Sequence, residues 1–160
     1  VGTFSKSLGS IGGFVSSKKD IAEYIRHKAS AFIFTAALPP ASVAGVLEGL
    51  DILANDSKRR KRLHENTTFI KRAFFELGIQ VNNNHVPIVP IQIGDEALTL
   101  YMNRLLFDDA VFAGVAVSPV VPPLKAMIRT SYTSEHTKKD LDRILTSFEK
   151  NLKKIGILPQ

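Results

Sequence analysis

The residues best suited to chemistry lie near the start of the chain, where a lysine stands among hydroxyls and glycines. Thr3 and Lys6 are followed by Gly9, Gly12 and Gly13. Hydroxyls and backbone N–H groups can bind a phosphate, and a partly desolvated lysine readily forms a Schiff base. Glycines permit sharp turns and a close approach of the backbone to a flat ring. The same pattern also fits a flexible surface loop with a solvated lysine, and the Walker A spacing is absent.

Two more residues could contact a ligand. Arg129 lies between Ile128 and Thr130 in a predicted strand, and a guanidinium presents two parallel donors that match a carboxylate. An exposed strand residue or a structural ion pair would give the same pattern. Thr35 precedes a Pro-Pro pair, which also fits an ordinary helix-entry turn. The four histidines do not cluster, so we predict no zinc site.

Composition narrows the class of protein. The chain has 160 residues, no cysteine and a formal net charge of +6, so disulfides, thiolate metal sites and Cys nucleophiles are excluded. This composition fits a reducing compartment, and we expect a cytoplasmic protein. No apolar run reaches the roughly 18 residues of a membrane span. We predict that the basic run at 58–62 is a solvated helix face rather than a nucleic-acid contact, which leaves a basic interaction domain as the non-enzymatic alternative.

The elements that must position these residues follow from hydrophobic periodicity. From about residue 57 the order is helix, two strands, helix, two strands, helix, which predicts an α/β domain of the α+β kind, with a mostly antiparallel sheet and helices on one face. Residues 1–40 are expected to belong to a different sheet, and the opening residues resemble the middle of a strand and loop, so we expect a fragment. The predicted strands are 11–16, 79–81, 88–93, 115–118 and 126–132; the predicted helices are 17–29, 41–54, 57–77, 95–107 and 137–152, with 31–35 extended or a tight connection.

The predicted N-caps are Ser17, Asp95 and Thr137, with Asp20 and Asp140 as capping-box partners of Ser17 and Thr137; Gly78 is the predicted end of the helix at 57–77, and 82–84 is a predicted turn. The predicted buried faces comprise Ile21, Tyr24 and Ile25 in the first helix and Val43, Val46, Leu47, Leu50 and Leu53 in the second.

Four segments occur together in a specific order. They are GTFSKSLGSIGGF at 2–14, FIFTAALPP at 32–40, VPIVPIQIGDE at 86–96 and MIRTSYTSEHTKKDLDRIL at 127–145. As a set they resemble the C-terminal part of the α-oxoamine synthases. The resemblance implies fold type I of the pyridoxal-phosphate enzymes, pyridoxal 5'-phosphate as cofactor, a homodimer, and decarboxylative condensation of an amino acid with an acyl-CoA.

The resemblance also implies a role for each candidate residue. Lys6 is expected to be the catalytic Schiff-base lysine, and Thr3 to bind the cofactor phosphate. Arg129 is expected to bind the substrate carboxylate. Thr35 lies in the segment that reaches the partner subunit's phosphate site, although the family often has Ser-Thr where this chain has Thr35-Ala36. No nucleic-acid partner and no membrane span are implied.

The resemblance extends to domains and substrates. Residues 1–40 are expected to be the remnant of the large cofactor-binding domain, 41–56 an interdomain helix, and 57–160 the small C-terminal domain. Several segments are most similar to soluble bacterial serine palmitoyltransferases. The alternatives are 8-amino-7-oxononanoate synthase and glycine C-acetyltransferase, also called 2-amino-3-ketobutyrate CoA ligase. The fragment alone is expected to be inactive, because the family's Asp and His that contact the cofactor ring precede the lysine.

Overall fold

The structure, a computed structural model, describes residues 1–82 and 84–159 and contains two compact units, Val1–Ser57 and Lys58–Gln160. In the first unit, β1 (Gly2–Thr3) and β2 (Gly13–Phe14) pair antiparallel, with Thr3 opposite Gly13. Strand β2 is much shorter than the predicted strand at 11–16, because only two residues of that segment pair with another strand. The elements of this unit are β1 (Gly2–Thr3), β2 (Gly13–Phe14), α1 (Lys19–Lys28), α2 (Ser30–Ile33) and α3 (Pro40–Asn55).

The segment 31–35, predicted as extended or a tight connection, is not extended but a tight connection: α2 is a single helical turn, in which the Phe34 N–H donates to the Ser30 carbonyl. One local prediction in this unit is wrong. Ser17 does not cap α1, whose N-cap is Lys18 without a side-chain hydrogen bond. Asp20 instead lies in the first turn of α1, where a carboxylate favours the positive end of the helix dipole.

Helix α3 confirms its predicted start and end but not its predicted burial. Pro40 occupies its first turn, and the Asp56 N–H closes its last turn on the Ile52 carbonyl. Only Val46 on this helix is buried. The other members of the predicted apolar face, and the apolar residues of α1, remain partly or largely exposed because the described part of this unit has no element that covers them. These side chains are Ile21, Tyr24, Val43, Leu47, Leu50 and Leu53.

The second unit confirms the predicted antiparallel sheet. The strand order is β3-β5-β4, and both pairings are antiparallel. Along β5, Ala126, Ile128 and Thr130 are buried while Arg129 and Ser131 are exposed, so one face of the sheet is covered and the other is open. The elements are α4 (Ser57–Glu76), β3 (Ile88–Gly94), α5 (Glu96–Asp108), β4 (Gly114–Ala116), β5 (Ala126–Ser131) and α6 (Lys138–Lys154).

Helices α4, α5 and α6 and the covered face of the sheet share one hydrophobic core. The rings of Phe74 and Phe148 meet edge to face at its centre, with centroids 5.2 Å apart, and both side chains are fully buried. The other buried members include Ile70, Val89, Ile91, Met102, Leu106, Ile128, Leu141 and Leu152. Helices on one face of an antiparallel sheet are therefore the architecture of this unit, as predicted.

The predicted strand at 79–81 is absent. The Gly78 N–H donates to Phe75 and the Ile79 N–H donates to Phe74, with Gly78 at a φ of 83°. This is the Schellman arrangement that ends a helix at glycine. Ile79 is buried in the core, so its hydrophobicity serves packing after a helix rather than strand pairing. The predicted Asn82–Asn84 turn includes Asn83, which lies outside the described residues.

Side-chain caps fix the starts of α5 and α6 as predicted. Asp95 accepts a hydrogen bond from the Leu98 N–H at 2.7 Å. Thr137 and Asp140 form a reciprocal capping box, in which each side chain accepts from the other residue's N–H. These caps stabilise the first turns of α5, which precedes β4, and of α6, which follows β5. Arg129 lies on β5, opposite Gly114 of β4.

One carboxylate joins the end of α5 to α6. Asp109 accepts hydrogen bonds from Lys150 at 2.7 Å, Ser147 at 2.8 Å and Asn151 at 2.8 Å. The hydrogen bonds from Lys150, Ser147 and Asn151 lower the pKa of Asp109 to about 2. The carboxylate is therefore ionised at neutral pH and holds two helices of the core together.

Candidate functional site

Lys6 lies in the connection that joins β1 to β2. The Phe4 N–H donates to the Gly12 carbonyl at 3.0 Å and the Ser10 N–H donates to the Phe4 carbonyl at 2.9 Å, so the connection folds back on itself. Gly9 and Gly12 take φ values of 59° and 90°, which glycine adopts without a steric penalty. Lys6 is exposed, and no residue in the described part of the chain accepts a hydrogen bond from its amine. Its amine is therefore open to a ligand.

Two hydroxyl side chains lie next to Lys6 in sequence: Thr3 ends β1, and Ser5 immediately precedes Lys6 in the connection. Thr3 Oγ1 lies 2.9 Å from Ser5 Oγ and also accepts from the Ser5 N–H at 3.3 Å. Thr3 further donates to the Gly12 carbonyl at 3.4 Å, a long contact that a stronger acceptor could replace. Sequence reasoning did not select Ser5 as a site residue, although its position beside Lys6 in the TFSKS segment was a signal for it.

Close packing fixes the base of this connection. The rings of Phe4 and Phe14 stack with centroids 5.7 Å apart. A Cβ on Gly2 would stand 2.4 Å from the Phe14 ring, and a Cβ on Gly12 would stand 2.7 Å from Leu38. A side chain at either position would require Phe14 or Leu38 to move aside, whereas a Cβ on Gly13 would stand 2.5 Å from the Gly2 carbonyl oxygen, a backbone atom. Glycine is therefore needed at position 13 for close approach of the two strands.

Thr35 lies two residues after the end of α2 in the same unit. Its hydroxyl donates to the Ala31 carbonyl one turn earlier, and the residue is exposed. The hydroxyl is thus bonded to its own helix rather than to Thr3 or Lys6. Its predicted contact with a partner subunit's phosphate site stays a prediction.

Arg129 occupies the middle of the sheet in the second unit. Its position in β5 is opposite Pro90 of β3 and Gly114 of β4. Directly opposite residues lie on the same face of a sheet, so the guanidinium is flanked by an apolar ring and a bare backbone. The Arg129 side chain is exposed and makes no hydrogen bond or ion pair with the residues that the structure describes. Pro90 and Gly114 were not identified from sequence, because their proximity to Arg129 depends on strand register.

The structure therefore places Thr3, Lys6 and Thr35 in one unit, with Thr3 at the end of β1 and Lys6 three residues later in the connection to β2. Arg129 belongs to the other unit. Among residues 1–82 and 84–159, no group of three or more His, Asp or Glu side chains could hold a metal ion. No helix in the same ranges is both long and apolar enough to cross a bilayer.

The chain is similar in sequence to one protein family and to two kinds of enzyme. The sequence model of the family described as aminotransferase class I and II matches residues 1–148. The chain is 39% identical over 158 residues to 8-amino-7-oxononanoate synthase of Thermoanaerobacter pseudethanolicus, covering 99% of this chain and 40% of that protein. It is 40% identical over 159 residues to serine palmitoyltransferase of Bacteriovorax stolpii, covering 99% of this chain and 38% of that protein. The chain spans about 40% of the length of these relatives.

Solved structures of the same two kinds of enzyme match the fold. A structure of Sphingomonas wittichii serine palmitoyltransferase matches with a TM-score of 0.90 and 27% identity, covering 99% of this chain and 40% of that one. A structure of 8-amino-7-oxononanoate synthase from Francisella tularensis matches with a TM-score of 0.83 and 27% identity, covering 95% and 44%. A serine palmitoyltransferase described as carrying a pyridoxal-phosphate internal aldimine matches with a TM-score of 0.91 and 29% identity, covering 98% and 40%.

These matches confirm the predicted family and fold class. The family model covers nearly the whole chain, and the matching structures are pyridoxal-phosphate enzymes of fold type I. The chain therefore belongs to the aminotransferase class I and II family of pyridoxal-phosphate enzymes, with the fold of its type I members.

Proposed function

We propose that this chain supplies the cofactor-binding lysine and the substrate-binding arginine of an α-oxoamine synthase, which condenses an amino acid with an acyl-CoA and releases carbon dioxide. The observation that carries the proposal is Lys6, whose amine has no protein acceptor in the described residues and which follows the hydrogen-bonded Thr3 and Ser5 hydroxyls in a tightly folded segment. The printed names of the relatives support the same reaction class.

The donor set around Lys6 fits pyridoxal phosphate. The cofactor carries an aldehyde, which reacts with a primary amine, and a phosphate, which binds hydroxyl donors. Lys6 supplies the amine, and Thr3 and Ser5 supply hydroxyls within 2.9 Å of each other. Thr35 would add a hydroxyl only if it released the Ala31 carbonyl. When bound, the cofactor supplies an electron sink for the pair left on the substrate's α-carbon.

Lys6 then has two tasks. Its Nζ would hold the cofactor before the amino acid arrives, and as a free amine it would take the proton from the α-carbon. A lysine suits the second task because its primary amine is a base that the fold can position. The short connection between β1 and β2 limits the positions that Nζ can reach.

Arg129 orients the amino acid. Its guanidinium can donate two parallel hydrogen bonds to the substrate carboxylate, and Pro90 and Gly114 offer no competing side-chain acceptor. A carboxylate held at two points fixes the direction of the bond to be broken, which is an orientation effect.

Within this reaction class we propose long-chain acyl-CoA as the acyl donor, as in serine palmitoyltransferase. Support comes from the TFSKSLGSIGGF, FIFTAALPP and KKIGILP segments and from the serine palmitoyltransferase structures that match the fold. A second candidate is 8-amino-7-oxononanoate synthase, because several relatives at 36–40% identity carry that name. Glycine C-acetyltransferase is the third candidate function.

The proposal includes the domain roles and the assembly. We assign 1–40 to the large cofactor-binding domain, 41–56 to an interdomain helix and 57–160 to the small domain. A cytoplasmic homodimer, in which Thr35 approaches the partner subunit's phosphate site, completes the proposed enzyme. Sedimentation of the full-length gene product at several concentrations measures the assembly.

Peptide mapping tests the cofactor-binding role of Lys6. The full-length gene product is incubated with pyridoxal phosphate, reduced with borohydride and digested. We expect the cofactor mass on the peptide that contains Lys6, and no modification in Lys6→Ala. Lys19→Ala, which removes an exposed lysine of α1, is the matched control and should retain the modified peptide. Modification at another lysine would contradict the assignment.

Product analysis tests the acyl donor. The same protein is assayed for release of coenzyme A with serine and palmitoyl-CoA, and with glycine and acetyl-CoA. Turnover that is faster with the palmitoyl pair supports the long-chain assignment. Faster turnover with the acetyl pair would move the assignment to the short-acyl members and leave the reaction class intact.

A further inference from the structure

A cavity of about 540 Å³ lies between α4 and the segment that leads into β3, within the second unit. One face of α4 lines it, because residues spaced by three and four positions lie on the same side of a helix. The polar residues that carry the inference are His64, Thr68, Lys71 and Arg72 from α4, with Asn84 and His85 from the facing segment. The proposed reaction uses none of them.

The basic groups of this cavity have no acidic partner that also lines it. No Asp or Glu occurs among the described lining residues. Arg72 is paired with Glu76 on the exposed side of α4, at 2.8 Å. The rings of His64 and His85 lie 5.6 Å apart across the two segments. The lining is therefore rich in donors and deficient in negative charge.

Lys71 is the unusual member of the cluster. It is only 9% exposed, and its amine donates to the backbone carbonyl and side-chain oxygen of Asn84. Both acceptors are neutral, and the described residues offer Lys71 no carboxylate. Burial lowers the pKa of Lys71, because a desolvated cation without a counter-ion is unfavourable. An anion in the cavity would supply the missing counter-charge.

We infer that this cavity, lined by Lys71, Arg72, Thr68 and the His64–His85 pair, binds the phosphate group of a phosphorylated small molecule. An ammonium has three donors, and two of those on Lys71 are directed to Asn84, so one remains for a phosphate oxygen. Arg72 can share its guanidinium between Glu76 and a second acceptor, since it has five N–H donors. The cavity is larger than a phosphate, which leaves room for the group that the phosphate is attached to.

The basic run at 58–62 is a weaker candidate for the same ligand. Its residues are exposed on the first turns of α4, and Lys61 is paired with Glu65 at 3.8 Å. A solvated run of this kind attracts anions without selecting one, and salt screens it over roughly 10 Å at 0.1 M ionic strength. Binding at the cavity should therefore resist added salt better than binding at the run.

Titration calorimetry with inorganic pyrophosphate tests the inference. The full-length gene product is first loaded with pyridoxal phosphate and freed of excess, so that a cofactor site does not take up the probe. We expect one saturable site, and about tenfold weaker binding in Arg72→Gln, a change of about 1.4 kcal/mol. Lys71→Gln should abolish binding. If Lys71→Gln does not fold, Arg72→Gln decides the result, because Arg72 is exposed.

Arg104→Gln is the matched control. Arg104 is also an exposed helical arginine whose Nε bonds a carboxylate four residues later, Asp108, at 3.0 Å. This variant should bind pyrophosphate like the wild type. Hydrogen exchange should slow on pyrophosphate binding in the peptides that span 64–72 and 84–88.

Two results would overturn the inference. One is the absence of saturable binding at millimolar pyrophosphate. The other is an equal dissociation constant in the wild type, Arg72→Gln and Lys71→Gln, which would show non-specific attraction to a basic surface. Where binding is seen, coenzyme A is titrated as a competitor. If coenzyme A displaces pyrophosphate, the site is assigned to the phosphates of an acyl-CoA. If it does not, the site is assigned to another phosphorylated molecule. Both results support an anion site.

Discussion

Replacement of Arg129 tests the proposed site most directly, because its guanidinium has no partner among the described residues. Pro90 and Gly114 flank it in the sheet, so Arg129→Ala and Arg129→Lys break no internal ion pair and leave no buried acceptor unsatisfied. We expect both variants to fold with little change in the free energy of unfolding, since exposed substitutions without such contacts usually cost under about 0.5 kcal/mol.

The expected effect on amino-acid binding is much larger. A hydrogen bond to a charged group contributes about 1.5–3 kcal/mol, and the guanidinium can donate two to one carboxylate. Because the open face of the sheet remains partly hydrated, we discount the sum and expect Arg129→Ala to lose about 2–4 kcal/mol, roughly 30- to 1000-fold in affinity. Arg129→Lys keeps the charge but loses the planar pair of donors, so its affinity should be intermediate.

The assay titrates the amino acid into the cofactor-loaded protein and follows the visible absorbance of the cofactor. Arg104→Ala is the control, because it removes an exposed arginine of α5 without touching the sheet. Acyl-CoA affinity should be unchanged in all variants, since the thioester offers no carboxylate at this position. Equal amino-acid dissociation constants in the wild type, Arg129→Lys and Arg129→Ala would refute the role of Arg129 as the carboxylate site.

Three further predictions follow from the described contacts. Lys6→Ala should reduce coenzyme A release by orders of magnitude without changing the thermal unfolding midpoint; a normal rate would exclude Lys6 from the reaction. Phe148→Ala should lower the free energy of unfolding by about 3–5 kcal/mol in urea titrations, because it removes a fully buried ring; a loss below 1 kcal/mol would mean that the core refills the space. Asp109, whose pKa falls from 3.8 to about 2 on folding, stabilises the fold fully above pH 3.8 and loses that contribution as the pH falls towards 2. Unfolding of Asp109→Asn, measured from pH 6 to pH 2, should therefore show a weaker acid dependence than the wild type, and parallel curves would contradict this account.

Local signals in the sequence predicted the ends of most helices. Asp95 and Thr137 cap α5 and α6 because their side chains reach N–H groups only three residues away. Gly78 ends α4 because its φ of 83° suits glycine and few other residues. Each of these features depends on a few consecutive residues, so the local sequence was sufficient to predict it. Ser17 was the exception: serine is a residue type that often caps helices, but α1 begins one residue later, with Lys18 as its N-cap.

Predictions that depended on distant neighbours were less successful. The segment 79–81 has the composition of a strand, but a strand forms only where another backbone pairs with it. Ile79 instead completes the helix end and enters the core. In the same way, Val43 and Leu47 have the spacing of a buried helix face, yet they stay exposed because the described residues of their unit supply no covering element.

The same distinction between local and distant neighbours applies to the candidate site. Thr3 and Lys6 could be paired from sequence because only two residues separate them. The environment of Arg129 could not, since it is created by register: β5 sets Arg129 between Pro90 and Gly114. A slip of one residue would turn Thr130 to the open face and Arg129 to the core, where a guanidinium without a carboxylate is costly. The Thr130 hydroxyl, which donates to the Val89 carbonyl at 2.8 Å, and the buried Ile128 both oppose that slip. The core that stabilises the second unit is therefore also what keeps the guanidinium exposed, as its proposed role as the carboxylate site requires.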